Sequence, residues 1–328
     1  MRAVWYDRQG PANEVLTCGE IPTPHAGYGE VRVRLEASGV NPSDTYRRGG
    51  TPVMEYPRVI TNSDGAGVVD EVGPGIAASW LGKRAWLYNG QRNGRWMGTA
   101  AEYIALNVDL VTELPAHVSF AAGATLGVPC MTAHRCVFVA GPVHGRVLLI
   151  TGGAGAVGHY AVQLAKWAGA TVIVTASSAE KAERARQGGA DEVIDYRRDD
   201  VAARIRQITG GVGVDHVVDV DFGGNLRATL DSVRANGSIA VYATNGDRTP
   251  AVPIRELMMK NVALYPTSLP GSPHESRRRA QADIARFVAT PGRILSVAAR
   301  FPLFETAAAH LAVERGGKVG TVVVECPK

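Results

Sequence analysis

The 328-residue sequence has little of several things that would mark a protein class. Its four cysteines, Cys18, Cys130, Cys136 and Cys326, form no C-x-x-C pair. That spacing excludes a disulfide framework and the usual zinc-ribbon and redox motifs, and it predicts buried thiols in a reducing cytoplasm. Aromatic residues make up 6% and charged residues 20% of the chain, and the net charge is only +4. The densest basic run, Arg277–Arg279, lies beside a helical pattern, so no basic stripe speaks for nucleic acid as a partner. Long hydrophobic runs are missing too. The stretch from Phe120 to Gly141 is broken by Pro129, His134 and Arg135, which argues against a membrane span. The opening "MRAVWYDRQG" has no apolar signal core and reads as a strand. A cytoplasmic protein without membrane contact is expected.

What is there changes texture along the chain. Up to about residue 120, "EVRVRLEASGV", "GAGVVDEVG", "KRAWLY" and "AAEYIAL" are short β-type runs divided by Gly and Pro, as in a small β-barrel. Strands then alternate with helices, which predicts a parallel sheet. "RVLLIT" is followed by a helix bearing Val157, Ala161, Leu164, Ala165 and Ala168 on one face, and then by "ATVIVTA", the charged helix "AEKAERARQ" and "DEVIDY". "VDHVVDV", "SIAVYAT" and "NVALYP" continue the series. The last stretch, with a helix near Ile284, strand-like "ILSVAARFPL", a helix in "ETAAAHLAVERGG" and a closing "GTVVVEC", has no partner in that series and is expected to return to the first domain. The expected division is 1–122, 123–265 and 266–328.

The strongest motif is "ITGGAGAVGHYAVQLAKWAG", where Gly153, Gly155 and Gly158 fit G-x-G-x-x-G between a buried strand and an amphipathic helix. Glycines there allow a tight turn, and the helix start offers free N–H groups near Ala156 and Val157 to a pyrophosphate. NAD sites usually carry an acidic residue at the end of the second strand. This chain has Thr175-Ala176-Ser177-Ser178 and then Lys181, with Tyr196 ending the third strand. Hydroxyls and an ammonium attract a 2′-phosphate that a carboxylate would repel, so NADP is favoured. Ser177 and Ser178 serve equally well as helix caps on this reading.

"GVNPSDTYRRGG", "DGAGVVDEVGPG", "AAEYIAL" and "GGAGAVGHYAVQLAKWAGATVIVTASSAEKAERA", in that order, resemble the medium-chain dehydrogenase/reductase superfamily over essentially the whole length. Within it the chain is similar to the zinc-free quinone oxidoreductases, the zeta-crystallin-like branch. The resemblance implies an α/β fold: a GroES-like β-barrel catalytic domain with an inserted Rossmann parallel-sheet domain, and the nicotinamide in the cleft between them. Zinc members place a Cys and a His-Glu pair where this chain has Asn41, Ser63 and Asp64. An amide and a hydroxyl are poor replacements for thiolate and imidazole, so no zinc is expected.

The implied reaction is NADPH-dependent hydride transfer to a quinone or an activated α,β-unsaturated carbonyl, acceptors that need no Lewis acid. Enoyl or halo-acrylate reduction on the same scaffold, or an NADPH-binding protein with a structural or RNA-binding role, are the alternatives. The resemblance sets Asn41 near the nicotinamide and Asp44 and Tyr46 beside the substrate, with Tyr46 orienting the acceptor oxygen. Tyr46 reads equally as a packing residue and Asp44 as a helix cap. Thr132, Tyr242 and Ala243 match segments that border the nicotinamide. Asn62 replaces a Gly and can accept its left-handed backbone. Arg92, Arg95 and Trp96 in the 87–103 loop suggest an aromatic or anionic substrate if that loop lines the cleft. "NVALYP" would be an unguarded sheet edge, which predicts a two-fold homodimer.

Overall fold

In the computed structural model, which describes residues 1–92 and 94–326, each segment read as a strand contains one. The chain divides into two compact units, residues 1–129 with 281–328, and residues 130–280. The expected borders lay at 122/123 and 265/266. Both differences have a local cause. Leu126–Cys130 is a kinked helical segment carrying Pro129, which places the first break directly before the helix Met131–Phe138. The second border falls inside the continuous helix His274–Ala289, so the strand Ala263–Pro266 and the segment after it stay with the inserted unit.

In the first unit, the 11-residue strand Glu30–Val40 is the hub of a seven-stranded sheet. It pairs antiparallel with Asp64–Val72, Tyr103–Asn107 and the late strand Thr321–Glu325. Val297–Pro302 adds in parallel to Thr321–Glu325, so the C-terminal segment completes the N-terminal sheet. Alternation along Glu30–Glu36 buries Val31, Val33 and Leu35 against Val69, Leu87, Ile104 and Leu106. A three-stranded sheet holds Arg2–Tyr6 between Thr17–Glu20 and Val59–Ile60.

The second unit is a six-stranded parallel sheet. Its members are Val147–Ile150, Thr171–Ala176, Glu192–Asp195, Val214–Asp219, Val233–Val241 and Ala263–Pro266, lying in the order third, second, first, fourth, fifth, sixth. That order reverses direction between the first and fourth strands, the switch point beside which open α/β sheets hold their ligands. Continuous apolar runs such as Leu148–Ile150 and Val172–Val174 are buried, as expected where helices cover both faces. Cys130, Cys136 and Cys326 are buried as expected, but Cys18, on an edge strand of the small sheet, is exposed. None of the described helices is long and apolar enough to cross a membrane.

Candidate functional site

In the parallel-sheet unit, the turn after Val147–Ile150 is built by glycines with different duties. Gly152 has φ 63° and donates its N–H to Thr175 Oγ1 at 3.1 Å, tying the turn to the second strand. A Cβ on Gly153 would lie 2.3 Å from Val174 Cγ1, and one on Gly158 would lie 2.3 Å from the Gly152 carbonyl oxygen. These two are required by the packing of turn, strand and helix. Gly155 is different: a Cβ there would meet only the Gly152 oxygen, at 3.4 Å. Nothing in the protein needs that position bare. Gly155 is also the N-cap of the helix Ala156–Trp167, with no side chain to cap it and no acidic residue in its first turn. The leading N–H groups, from Ala156 to Gly158, have no carbonyl partner within the helix, and the helix dipole adds positive potential there.

Ser177, Tyr196, Tyr242 and Ala243, four of the other expected cofactor residues, follow the carboxyl ends of strands in this unit. Ser177 directly follows the second strand, and Lys181 Nζ donates to Ser177 Oγ at 3.1 Å. Ser178, not Ser177, is the helix cap, accepting the Lys181 N–H at 3.3 Å. Tyr196 follows the third strand, donates its N–H to Ala176 O at 3.3 Å and leaves its side chain half exposed. Tyr242 and Ala243 leave the fifth strand: Tyr242 N donates to Asp219 O and Ala243 O accepts from Phe222 N. Thr132 lies buried in the first turn of the helix Met131–Phe138.

Sequence reasoning missed Asp219. Buried at the end of the fourth strand, it accepts from Thr151 Oγ1 (3.0 Å), Asp221 N (3.0 Å), Asn225 Nδ2 (2.8 Å) and Thr229 Oγ1 (2.6 Å). It binds the first residue after the first strand to the fourth strand, and so braces the switch point. The signal available was an Asp closing a strand directly before "VDFGG".

The first unit holds a buried polar cluster around the helix Pro42–Gly49. Asn41 and Asp44 form a capping box, with the Asn41 N–H donating to Asp44 Oδ2 at 2.8 Å. Asp44 Oδ1 accepts from Ser63 Oγ at 2.7 Å and from the Arg92 guanidinium at 2.8 Å. Asn41 Nδ2 donates to Asp64 Oδ2 at 2.7 Å, and Val128 N adds a second donor at 2.7 Å. Asp64 Oδ1 has no partner and faces Gly127, where a Cβ would sit 2.2 Å away. Burial, with repulsion from Asp44, outweighs these donors and the Arg92 charge and pushes the Asp64 carboxyl up to about 8. It is therefore a neutral acid at pH 7.

Within this cluster the expected site residues separate. Asp44 is both cap and ion-pair partner. The Asn41 amide turns inward to Asp64 and is almost fully buried. Tyr46, on the opposite side of the same helix, is 49% exposed. The 87–103 loop puts its arginines to work inside the protein. Arg92 reaches Ser43 and Asp44, and Arg95 donates to the carbonyls of Gly90 and Ala105. Asn62 has φ 69°, the left-handed backbone expected where relatives carry Gly. Among the described residues, no group of three or more His, Cys, Asp or Glu is placed to hold a metal ion.

Two family models match the chain: "Alcohol dehydrogenase GroES-like domain" over residues 27–116 and "Zinc-binding dehydrogenase" over residues 156–286. A 2-haloacrylate reductase from Burkholderia sp is 34% identical, with 99% of this chain and 98% of that protein covered. A quinone oxidoreductase from Rattus norvegicus is 29% identical over 99% of this chain and 97% of its own length. The crystal structure of Escherichia coli quinone oxidoreductase complexed with NADPH superposes with a TM-score of 0.86 at 26% identity, covering 99% of this chain and 100% of that one. The GroES-like and Rossmann units, the glycine turn at the switch point and full-length similarity lead to one conclusion: the chain belongs to the medium-chain dehydrogenase/reductase superfamily, in its quinone oxidoreductase-like branch.

Proposed function

We propose that this protein is a zinc-independent reductase that takes hydride from NADPH and delivers it to a quinone or an activated α,β-unsaturated carbonyl compound. The observation that carries the cofactor reading is Lys181 Nζ on Ser177 Oγ at the end of the second strand, where an NAD site would hold an acid. Gly153, Gly155, Ala156, Val157 and Gly158 would hold the pyrophosphate, Ser177, Lys181 and Tyr196 the 2′-phosphate, and Thr132, Tyr242 and Ala243 the nicotinamide side. Bound there, the nicotinamide supplies the hydride. On the acceptor side, the exposed Tyr46 hydroxyl hydrogen-bonds the acceptor oxygen, while Asp44 and Asn41 keep its helix in place.

Zinc does not fit the residues present. The Asn41 amide nitrogen and the Ser63 hydroxyl are donors already engaged by Asp64 and Asp44, and Arg92 brings a fixed positive charge to the same carboxylate. The family model whose description mentions zinc covers residues 156–286, which include none of these positions. The test is a panel of quinones, enones and 2-haloacrylates with NADPH and NADH, run with and without chelator. NADPH-dependent turnover that survives chelation is expected. Turnover lost with the chelator and restored by zinc would overturn metal independence, and no turnover on any acceptor would overturn the reductase reading. Full-length likeness to a 2-haloacrylate reductase keeps haloacrylate in the panel as the second substrate class.

A homodimer through the outer strand Ala263–Pro266 belongs to the same reading. Among the described residues that strand pairs only with Val233–Val241, and Ile254, Met258 and Met259 on the preceding helix are exposed. Replacing Ala263 and Leu264 with Lys should shift sedimentation towards monomer. A wild-type protein that is already monomeric at micromolar concentration would exclude the dimer.

A further inference from the structure

A run of buried groups behind the Asp64 cluster is used by neither the cofactor nor the acceptor reading. Ser38, Arg48, Asn62, Thr99 and His310 are all buried to within 2% of full enclosure. Arg48, in the last turn of the helix Pro42–Gly49, directs Nε to His310 Nδ1 at 3.4 Å. His310 Nε2 lies 2.9 Å from Asn62 Oδ1, with Thr61 Oγ1 farther off at 3.4 Å. Asn62 Nδ2 donates to Ser38 Oγ at 3.0 Å, Ser38 Oγ meets Thr99 Oγ1 at 2.8 Å, and Thr99 Oγ1 donates to the Asp64 carbonyl at 2.7 Å.

The two ends settle the direction of every bond between them. An arginine can only donate and a backbone carbonyl can only accept. Each residue between has one donor and one acceptor in use, so all five bonds point from Arg48 to Asp64. His310 must then carry its proton on Nε2. The other tautomer would set Nδ1–H against the Arg48 N–H and leave Asn62 to reverse the rest. From Asp64 the connection returns to the starting helix, because its carboxyl holds Asn41 Nδ2 at the helix N-cap. Arg48 also bonds the Gly10 carbonyl and Glu314. The helix carrying Asp44 and Tyr46 is thus held at both ends, by a one-way series from Arg48 to the Asp64 carbonyl and by the Asn41 amide donating to the Asp64 carboxyl.

We propose that His310, on the helix Thr306–Glu314, is a positioning residue for the acceptor-side helix Pro42–Gly49, acting as a single Nε2–H tautomer that transmits hydrogen-bond direction from Arg48 to the Asp64 peptide. The catalytic part of this inference rests on the reading of Tyr46 as the acceptor-orienting group; the tautomer and the helix restraint do not. The charged groups facing the imidazole are Arg48 and Asp44 from the helix Pro42–Gly49 and Glu314 from its own helix, the last already paired with Arg48. Burial, opposed by Asp44 and assisted by Arg48, holds His310 at about 4, so it stays neutral through the physiological range.

The experiment uses the full chain. In ¹⁵N-histidine-labelled protein, the imidazole signal that disappears in His310→Gln identifies His310. It should report Nε2–H alone from pH 5.5 to 8. An Nδ1–H tautomer, a mixture, or titration between pH 6 and 7 would overturn the proposal. Amide exchange in residues 43–49 should quicken about tenfold or more in His310→Ala and stay near wild type in His310→Gln, whose amide supplies one acceptor and one donor. With an acceptor found in the panel, His310→Ala should lose about ten- to a hundredfold in kcat with NADPH affinity within about twofold of wild type, because misplacing an orienting group by about an ångström costs that much. His310→Gln should recover most of it. If no acceptor is reduced, the reductase reading fails while the tautomer and exchange results still decide the positioning claim. If turnover is present but Ala and Gln behave alike, the positioning claim fails and the reductase reading stands.

Discussion

The glycine turn of the parallel-sheet unit and the polar cluster of the first unit solve positioning in opposite ways. The turn works by leaving side chains out: Gly153 and Gly158 let backbone and helix close on each other, and Gly155 leaves open space. The cluster works by bringing side chains together from distant places. Asn41 meets Asp64, Asp44 meets Arg92, and Arg48 meets His310 from the far end of the sequence. A backbone device tolerates almost any neighbour but no added carbon. A side-chain device tolerates backbone variation but no missing partner.

The largest expected effect separates the glycines from one another. Gly158→Ala places a carbon 2.3 Å from a backbone oxygen that has nowhere to go, and overpacking of this kind costs about 1–3 kcal/mol even where neighbours can relax. It should lower Tm measurably and abolish NADPH binding. Gly155→Ala should keep the wild-type Tm within about 2 °C and weaken NADPH about tenfold or more. Calorimetry and NADPH titration on both variants check this; equal loss of stability in the two would erase the distinction. Next in size, Lys181→Ala should weaken NADPH about ten- to a hundredfold, through loss of a charged hydrogen bond, with NADH unchanged. An unchanged NADPH affinity would leave Lys181 as a surface partner of Ser177 only.

The smallest effect tests the cluster through pH. Asp64 titrates at about 8 in the folded chain, above its ordinary carboxylate value. The folded state therefore holds a proton that the unfolded state releases, and stability contributed by the neutral acid is present at low pH and lost as pH rises through about 8. Wild-type Tm should fall between about pH 5 and 8 more steeply than that of Asp64→Asn and level off above that, while NADPH affinity keeps the same pH profile in both. Parallel profiles in the two proteins would show that Asp64 is ionised in the folded protein.

The same contrast explains what could be read from the sequence. Strands, the charged helix Ala179–Gln187 and the glycine turn were legible because each is specified within a few residues, by alternation, by helical spacing, or by glycine between a strand and a helix. Ser177, Lys181 and Tyr196 were legible because the sheet fixes where successive strands end. Arg92 was not. Its loop suggested a contact with substrate, and the side chain runs instead to Asp44. Nor were Arg48, Ser38, Thr99 and His310, each an ordinary residue in its local segment. Pairings across such separations depend on which strands become neighbours, and no short pattern encodes that. The division into units is hard to read for a related reason: the helix His274–Ala289 is one uninterrupted local element, although that division passes through it.

The return of the C-terminal segment to the first sheet has a consequence for synthesis. Residues 130–280 form their unit from one continuous stretch and can close as soon as that stretch has left the ribosome. The first sheet lacks Thr321–Glu325 beside Glu30–Val40, and the helix Pro42–Gly49 lacks His310 behind it, until residues 281–325 have also been made. At roughly 5–20 residues per second this is a wait of a few seconds. For that interval the nascent protein holds a finished parallel sheet and an open edge on the strand Glu30–Val40. The helix Pro42–Gly49 and the first sheet are therefore the last parts of the molecule to take shape, and the parts most in need of protection while they wait.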